Sequence, residues 1–375
     1  NLTIVSWQGI EGGTDWEWPD GYYTEFWYHF NRFHFLDTFV RTYQKTGDEY
    51  YAYHALLLMF DFLQDQAVGY PRSLEEPIRA LSWHSTFFNM LDSKYMTPTA
   101  ATALMKYFWE SQDYLRTSFS VGSNWGTAQT KTFLKGCAVF PEFSDVPLWL
   151  KTIRNRVEND IAPLILDDGA YIENSNSYAA GSLQNVLGFL KDAQEAGLEF
   201  SDAFVEKARL FTKYIMDSAN YKGQSVEWGD GGAATMRSYI QGMAEVLGDQ
   251  EFMYFGTNGA RGTIPSWTSA NYPIGRRTFL RTGWKSEDTF LFINNYKGNI
   301  HGHSDALHIY LDAYGENMLS DTGKVSYDLE NDEIAIWQTY DTEAHNTVSV
   351  NHAPQRNTDF GETNTLAVTD YTDFY

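Results

Sequence analysis

Histidine residues are concentrated in one part of this sequence. Five of the nine histidines lie between residues 301 and 352, and none lies between residues 85 and 300. His303 belongs to the segment His-Gly-His-Ser-Asp at 301–305, which precedes a predicted strand. Asp321 follows the next predicted hairpin, and His345 begins another predicted strand. Two imidazoles and one carboxylate from three strand ends form a normal zinc ligand set, although three polar surface groups can show the same spacing.

A loop of small and polar residues surrounds Asn124. The segment Gly-Ser-Asn-Trp-Gly at 122–126 opens a predicted helix that contains Gln129. Asn124 suits the N-cap of that helix, because its side chain can accept a hydrogen bond from an unpaired backbone N–H group. In the functional alternative, its amide hydrogen-bonds a substrate carboxylate without adding a charge. The sequence fits both interpretations.

Two further polar segments carry residue types suited to acid–base chemistry. Residues 167–178 run from a turn, through a short extended stretch with Glu173, to a helix that begins near Tyr178. Tyr178 lies in a polar stretch and not on the apolar face of that helix, which favours a position in the wall of a pocket. Residues 227–232 contain Trp228 and Asp230, and they form either a turn or the far wall of a cleft.

The amino-acid composition limits the partners of the protein. Aromatic residues make up 17% of the chain, which suits the flat faces of sugars, although an aromatic-rich core accounts for most of them. The 49 acidic residues outnumber the 27 basic residues, and the net charge is -22. This charge excludes nucleic acid as a partner, and a polyanionic ligand requires a local cluster of basic residues.

The same composition indicates the class of protein. Hydrophobic residues make up 43% and charged residues 20% of the chain, as in ordinary globular proteins. Cys137 is the single cysteine, which excludes a disulfide framework and a cysteine-based zinc site. No segment approaches the ~18 apolar residues of a membrane span, and no charged-then-apolar leader opens the sequence. We therefore expect a mature or trimmed soluble protein that is periplasmic or secreted.

The first two thirds of the sequence have the period of helices, and these helices must position part of the residues named above. From Thr24 onwards, apolar residues recur every three or four positions as far as Tyr43, and Gly47 stops the pattern. Many antiparallel helices with short links favour an incomplete (α/α) toroid or a helical solenoid. The further predicted helices are residues 49–66, 98–117, 147–166, 177–196, 201–219 and 234–247.

The sequence period changes to that of strands after residue 256. Helices followed by strands predict an α+β multidomain chain, with an (α/α) toroid at residues 1–260 and an antiparallel β-sandwich-type domain at residues 261–375. In the strand at 307–314, Ile309 and Leu311 face one side, whereas His308 and Asp312 face the other. The predicted strands are residues 278–284, 289–296, 307–314, 346–350 and 366–371.

Five motifs, in this order, resemble those of the heparinase II/III-like family of polysaccharide lyases, which includes heparinase II, heparinase III and several alginate lyases. One such motif is weak evidence, but five in order are specific, and the resemblance covers most of the chain. The motifs are Asn-Trp-Gly at 124–126, Asp-Gly-x-x-x-Glu-x-Ser-x-x-Tyr at 168–178, His-Gly-His-x-Asp at 301–305, Asp-x-Gly at 321–323 and His-Asn-Thr-Val at 345–348.

The resemblance implies three catalytic residues. Asn124 matches the asparagine that binds and neutralises the uronate carboxylate. Tyr178 matches the tyrosine that acts as general acid, and in some members also as base. His301 matches the catalytic histidine at the edge of the β domain. Whether His301 or Tyr178 is the base therefore stays open in the sequence.

The resemblance also implies a structural zinc, and we further expect a set of substrate contacts. His303, Asp321 and His345 match the metal ligands of family members that hold zinc. Trp125 stands where many relatives have His, which excludes a proton role there, and Gln129 stands where some relatives carry Glu. The residues that we expect to bind the substrate are Arg79, Trp125, Gln129, Glu173 and Trp228.

The predicted function is cleavage of a 4-linked uronate polysaccharide by β-elimination. Such an enzyme must stabilise an enediolate, remove the proton at C5 and protonate the leaving O4. The alternatives are a glycoside hydrolase, with a carboxylate pair such as Glu173 and Asp230, and a non-catalytic glycan-binding protein. Because basic residues near the candidate site are few and each sulfate requires a charged partner, we expect alginate first, then hyaluronan, chondroitin or low-sulfate heparan.

Overall fold

The computed structural model describes residues 16–17, 24–295 and 301–355. The chain divides into two compact units, Asn1–Arg156 and Val157–Tyr375. This division falls within the helical part of the chain. The predicted boundary at residue 260 instead marks the change from helices to strands, and as a domain boundary it stays a prediction.

The described part of the N-terminal unit is helical, and sequence signals define several of its helix ends. Pro98 opens its helix as predicted, because Thr97 caps it by accepting a hydrogen bond from the Ala100 N–H group. The helices are α1 Thr24–Phe30, α2 Leu36–Thr46, α3 Glu49–Asp65, α4 Glu75–Asn89, α5 Pro98–Thr117, α6 Asn124–Val139 and α7 Val146–Arg156.

Aromatic rings build the core of this unit. The indole of Trp16 stacks on Phe33 at a centroid distance of 4.9 Å and meets the edge of Phe62 at 5.3 Å. Trp83 and Phe108 are fully buried in the same cluster. Much of the aromatic content therefore serves packing, which agrees with the core interpretation of the composition.

The C-terminal unit begins with irregular helical turns in place of the predicted continuous helix at 147–166. A π-helical turn, Val157–Ile161, follows α7, and a 3-10 turn, Ala162–Leu164, contains Pro163. Proline lacks the N–H group that a longer helix requires. The remaining helices are α8 Asn176–Ala196, α9 Asp202–Asp217, α10 Arg237–Leu247, α11 Gln250–Gly256 and α12 Glu333–Tyr340.

The strands of the C-terminal unit form one antiparallel sheet in the described residues. Its five strands are neighbours in chain order, so each pairs with the next. Phe279, Phe292 and Tyr310 lie opposite one another on three successive strands. The strands are β1 Ala270–Tyr272, β2 Arg277–Arg281, β3 Phe290–Asn294, β4 His308–Ala313 and β5 Glu316–Leu319.

The sheet differs from the prediction in three respects. Strands β1 and β5 were not predicted, residues 346–350 form no strand, and the predicted strand at 366–371 lies outside the described residues. In β4 the buried face is the polar one, with His308 and Asp312, because these side chains meet buried partners instead of solvent. A β-sandwich requires a second sheet, and only one is present in the part of the chain described here.

One further property concerns membranes. Among the helices of residues 16–17, 24–295 and 301–355, none combines the length and the apolar character that crossing a bilayer requires.

Candidate active site

The N-terminal end of α8 presents Tyr178 beside a histidine. Tyr178 is half-buried in the first turn of the helix. Its ring lies flat against the imidazole of His301, with centroids 3.7 Å apart and an interplanar angle of 10°. The structure therefore brings together two of the three predicted catalytic residues.

A buried carboxylate orients His301. Glu173, only 4% exposed, lies 3.1 Å through Oε2 from Nδ1 of His301. The His301 backbone has a φ of 56°, a left-handed conformation that costs a non-glycine residue about 1 kcal/mol. Glu173 thus contacts the predicted catalytic histidine, and its burial leaves little surface for the substrate contact that the sequence predicted.

Tyr327 completes this cluster, and the sequence did not predict it. The hydroxyl oxygens of Tyr178 and Tyr327 lie 2.5 Å apart, so one hydroxyl donates to the other. Partial burial and the hydrogen bond with Tyr178 raise the pKa of Tyr327. Tyr327 is therefore expected to be protonated near neutral pH. Tyr327 lies in an irregular segment after the Asp321-Thr-Gly motif, and no local pattern marks it.

The predicted metal ligands converge inside the C-terminal unit. His303, Asp321 and His345 are all buried, and one ligand atom from each lies within 4.8 Å of the others. Nδ1 of His345 lies 2.6 Å from Oδ2 of Asp321. Its Nε2 carries a hydrogen and donates it to the Gln338 carbonyl at 3.0 Å, because a carbonyl oxygen can only accept. Residues far apart in sequence thus form a compact triad.

Two observations indicate that the triad can bind a divalent metal: the types of its ligand atoms, and one buried nitrogen without a hydrogen-bond partner among the described residues. Among the described residues, no hydrogen-bond partner reaches the buried Nδ1 of His303. A buried polar atom without a partner costs about 1–3 kcal/mol, which a metal ligand bond would offset. Two imidazole nitrogens and one carboxylate oxygen are ligands that zinc accepts.

Electrostatics inside the triad favour an ionised Asp321. Burial opposes its charge, but the hydrogen bond and charge of His345 outweigh burial, and the pKa of Asp321 is lowered. The pKa of His345 is raised in turn, because the contact with Asp321 outweighs burial. Burial lowers the pKa of neighbouring His308 to about 4 and raises that of Asp305 to about 6. His308 is therefore neutral near pH 7 and accepts a hydrogen bond from the Asn346 N–H group.

Asn124 and Trp125 lie at the start of α6 in the N-terminal unit, both half-buried. Ser123 is the N-cap residue of α6, since its hydroxyl accepts a hydrogen bond from the Gly126 N–H group. The capping interpretation of Asn124 is therefore wrong. The guanidinium of Arg72 lies 4.9 Å from the Trp125 ring, so a cation is close to this loop.

Arg79, a predicted substrate contact, occupies the core of the N-terminal unit instead. Its side chain is fully buried, pairs with Glu76 and donates to the Asn31 carbonyl at 3.0 Å. It cannot reach a substrate in this structure, so this interpretation is corrected. Burial alone would lower the pKa of Arg79, but the charge of Glu76 outweighs it and the pKa is raised.

Gln129 and Trp228 are also buried, so their predicted substrate contacts are corrected too. Gln129 accepts a hydrogen bond from the Ser120 N–H group at 2.9 Å and donates to the Ser73 carbonyl at 3.0 Å. Trp228, 1% exposed, packs against Phe292 at a centroid distance of 4.4 Å. Among the five predicted substrate contacts, Trp125 alone has a side chain that is not buried.

Comparisons with known proteins bear on the family and the fold of this chain. The sequence profile described as Heparinase II/III N-terminus matches residues 5–254, and that described as Heparinase II/III-like, C-terminal matches residues 284–367. A protein named heparin-sulfate lyase from Pedobacter heparinus is 24% identical over 327 residues, which cover 83% of this chain and 50% of the relative. A protein of the same name from Bacteroides thetaiotaomicron is 21% identical over 382 residues, which cover 91% of this chain and 54% of the relative.

The fold has a solved counterpart. A crystal structure described as heparinase III matches with a TM-score of 0.82 at 20% identity, over 92% of this chain and 58% of that chain. At this identity the likeness concerns the fold alone, and it confirms the predicted α+β class. The chain spans about half the length of the curated relatives that it matches.

Proposed function

Because the chain belongs to the heparinase II/III-like family, we propose that it is a polysaccharide lyase that cleaves heparan-type uronate chains by β-elimination. The observation that carries this proposal is the stack of Tyr178 on His301, with Tyr327 and Glu173 holding the two reactive groups. β-Elimination requires a base for the C5 proton and an acid for the leaving O4, and this cluster contains both.

His301 is the residue that we assign as base. A carboxylate oxygen can only accept, so the contact with Glu173 places the hydrogen of neutral His301 on Nδ1. Nε2 then keeps its lone pair and can take the C5 proton. This tautomer argument separates His301 from Tyr178, whose hydroxyl begins the reaction protonated.

Tyr178 is the residue that we assign as acid. Its hydroxyl gives a proton to O4 as the C4–O4 bond breaks, and the electron pair of the C5–H bond forms the new C4–C5 double bond. Tyr327 lies within hydrogen-bond distance of Tyr178 and can donate to its oxygen as the negative charge develops there. Asn124, in its half-buried loop, is assigned to bind the uronate carboxylate, which stabilises the enediolate.

The metal triad has a structural role in this proposal. His303, Asp321 and His345 would hold zinc, which supplies a rigid anchor for the loop that carries His301 two residues earlier. The chain's own residues carry out the proton transfers.

The names of the relatives and the charge of this chain support the choice of substrate. Both curated relatives are named heparin-sulfate lyases, which favours heparan over the alginate that we expected first from the sequence. The net charge of -22 disfavours a densely sulfated chain, since each sulfate group requires a cationic or hydrogen-bonding partner. Heparan sulfate of low sulfation is therefore the proposed substrate.

The compartment belongs to the same proposal. Long acidic polysaccharides do not cross a lipid bilayer, so the protein would act in the periplasm or after secretion. Fractionation of cells that produce the natural full-length protein tests this, and its recovery in the cytoplasm alone would contradict it.

A substrate panel tests the activity. The purified protein is incubated with heparan sulfate, heparin, alginate, hyaluronan and chondroitin sulfate, and the ultraviolet absorbance of unsaturated uronate is followed. We expect the fastest rise on heparan sulfate, and a rise that is slower by about 10²–10⁴ with Tyr178→Phe protein.

Two other outcomes would replace the proposal. New reducing ends without ultraviolet absorbance would indicate a hydrolase. The structure gives such an enzyme little support, because Glu173 and Asp230 are both buried and each contacts a histidine. Polysaccharide that binds but stays intact would indicate a glycan-binding protein.

A further inference from the structure

The loop around Asp230 approaches the candidate site unusually closely. Gly229 has a φ of 59°, and a Cβ atom there would collide with the carbonyl oxygens of Asn174 and His301. A Cβ at Gly231, φ 121°, would collide with the hydroxyl of Ser177. Glycine on both sides therefore allows the Asp230 backbone to lie against the segments that carry Tyr178 and His301.

The backbone of Asp230 binds both of those segments. Its N–H group donates to the carbonyl of His301 at 2.8 Å. Its carbonyl accepts hydrogen bonds from the hydroxyl of Ser177, at 3.0 Å, and from that of Ser175. Ser177 immediately precedes Tyr178, so one residue ties the start of α8 to the His301 loop.

The side chain of Asp230 contacts the metal triad. Oδ1 lies 2.9 Å from Nε2 of His303 and 3.0 Å from Nζ of Lys324. Asp230 is 4% exposed, and the Lys324 side chain is 6% exposed. Lys324 in turn lies 4.1 Å from the ring centroid of Tyr327, the hydrogen-bond partner of Tyr178.

We propose that Asp230 is a positioning residue that turns Nδ1 of His303 toward the metal and links the metal triad to the tyrosine pair. Because its carboxylate accepts from Nε2–H of His303, the lone pair of the neutral imidazole lies on Nδ1. Nδ1 is the buried atom that has no hydrogen-bond partner among the described residues. The proposal rests on the zinc assignment made under the proposed function.

The charges of this group are balanced. The carboxylate of Asp230 lies between the imidazole of His303 and the ammonium group of Lys324. Neutralising Asp230 would leave Lys324 buried without its counter-ion, and would remove the charged acceptor that orients His303. A purely structural carboxylate would affect stability but would not affect the metal.

The experiment compares Asp230→Asn with a matched control, Asp217→Asn. Asp217 is an equally buried aspartate of the same unit, bound by Lys213, Trp267 and Tyr272. The dissociation constant for zinc is measured by competition with a chelator in the absence of polysaccharide. We expect zinc binding to weaken by about 10–100-fold in Asp230→Asn and to stay within about 3-fold of wild type in Asp217→Asn.

A second measurement needs no Asp230 variant and therefore holds if Asp230→Asn does not fold. In zinc-bound wild type labelled with ¹⁵N-histidine, the His303 signals, assigned with His303→Gln, should show a hydrogen on Nε2 and a metal on Nδ1. Zinc on Nε2 of His303, unchanged zinc affinity in Asp230→Asn, or no zinc binding by wild type would each overturn the proposal. Absence of lyase activity with these zinc results intact would instead overturn only the proposed function.

Discussion

The phenol of Tyr178 and the imidazole of His301 are parallel and in contact, with 3.7 Å between their centroids. Each ring therefore packs against one face of the other. The orientation of the His301 imidazole depends on an aromatic ring at position 178. Substitutions at this pair must preserve the rings if they are to report on chemistry alone.

The first prediction is that Tyr178→Phe loses turnover but keeps its fold. The phenyl ring preserves the stack on His301, whereas the proton for O4 is lost, so kcat should fall by about 10²–10⁴. The melting temperature should change by only a few degrees. Initial rates on heparan sulfate and a thermal unfolding scan measure both quantities, and a kcat close to wild type would refute Tyr178 as the acid.

The second prediction concerns Tyr327, the hydroxyl partner of Tyr178. Tyr327→Phe removes a donor that acts only as negative charge develops on Tyr178, so kcat should fall about 10-fold or more with little change in KM. The double variant that combines Tyr178→Phe with Tyr327→Phe should have nearly the same kcat as Tyr178→Phe alone, because both residues serve one proton transfer. Multiplicative losses in the double variant would show that Tyr327 acts independently.

The third prediction separates Asn124 from the helix cap. Asn124→Ala should lower kcat by about 10²–10³ through loss of carboxylate neutralisation. The adjacent Ser123→Ala is its control, since the cap hydroxyl belongs to Ser123 and its loss should cost about 1 kcal/mol of stability. Steady-state kinetics and urea unfolding of both variants test this. A stable Asn124→Ala protein with normal kcat would remove Asn124 from the site.

The fourth prediction concerns metal removal. If His303, Asp321 and His345 hold zinc, elemental analysis should find about one zinc per chain. Chelation or His345→Ala should then lower the melting temperature, since binding energy contributes to folding. His352→Ala is the control, because His352 is exposed and contacts only Glu343 among the interactions described. If elemental analysis finds no metal and Asp321→Ala is as stable as wild type, the triad is a hydrogen-bond network only.

The fifth prediction is a pH dependence that originates in the N-terminal unit. Burial, with a smaller contribution from the Lys135 charge, lowers the pKa of His84 to about 3. In the unfolded chain, His84 takes up a proton as the pH falls through about 6.5. In the folded protein, His84 stays neutral until the pH approaches 3. The stability contribution of neutral His84 is therefore complete above pH ~6.5, and it decreases by up to about 1.4 kcal/mol per unit as the pH falls toward the folded pKa.

The variant His84→Phe isolates this effect. The imidazole packs near Phe108 at 4.8 Å and Phe140 at 5.3 Å, so a phenyl ring fits the aromatic surroundings. Between pH 7 and pH 5, wild type should lose about 2 kcal/mol more stability than the variant. Urea unfolding across this range measures the difference, and data at pH 8 give the packing effect alone. Parallel curves for the two proteins would contradict the assignment.

Local patterns predicted much of the fold. The helix at 98–117 was predicted with its observed ends because Thr97 and Pro98 mark its start in the sequence. The resemblance to the heparinase II/III-like family is likewise confirmed by profiles that match residues 5–254 and 284–367. Helix α4 was not predicted. Its buried face includes Glu76 and Arg79, so the sequence there lacks the apolar period that indicates a helix.

The site was predictable only where a motif marks it. His303, Asp321 and His345 were grouped correctly because their residue types are restricted by metal chemistry. The partners Asp230 and Tyr327 depend on contacts between irregular segments far apart in sequence, which no local period encodes. For the same reason, sequence position alone could not distinguish half-buried Trp125 from buried Trp228, and it misplaced Arg79.

The crowding at Gly229 also means that the residue at this position, known from sequence alone, indicates whether a related protein can hold its histidine in the same place. Any side chain there would have to displace the carbonyl groups of Asn174 and His301, and so move the loop that carries the proposed catalytic histidine. A relative with a larger residue at this position must therefore hold its histidine differently. In a collection of uncharacterised sequences, this single position would sort the chains that retain the geometry described here from those that have abandoned it.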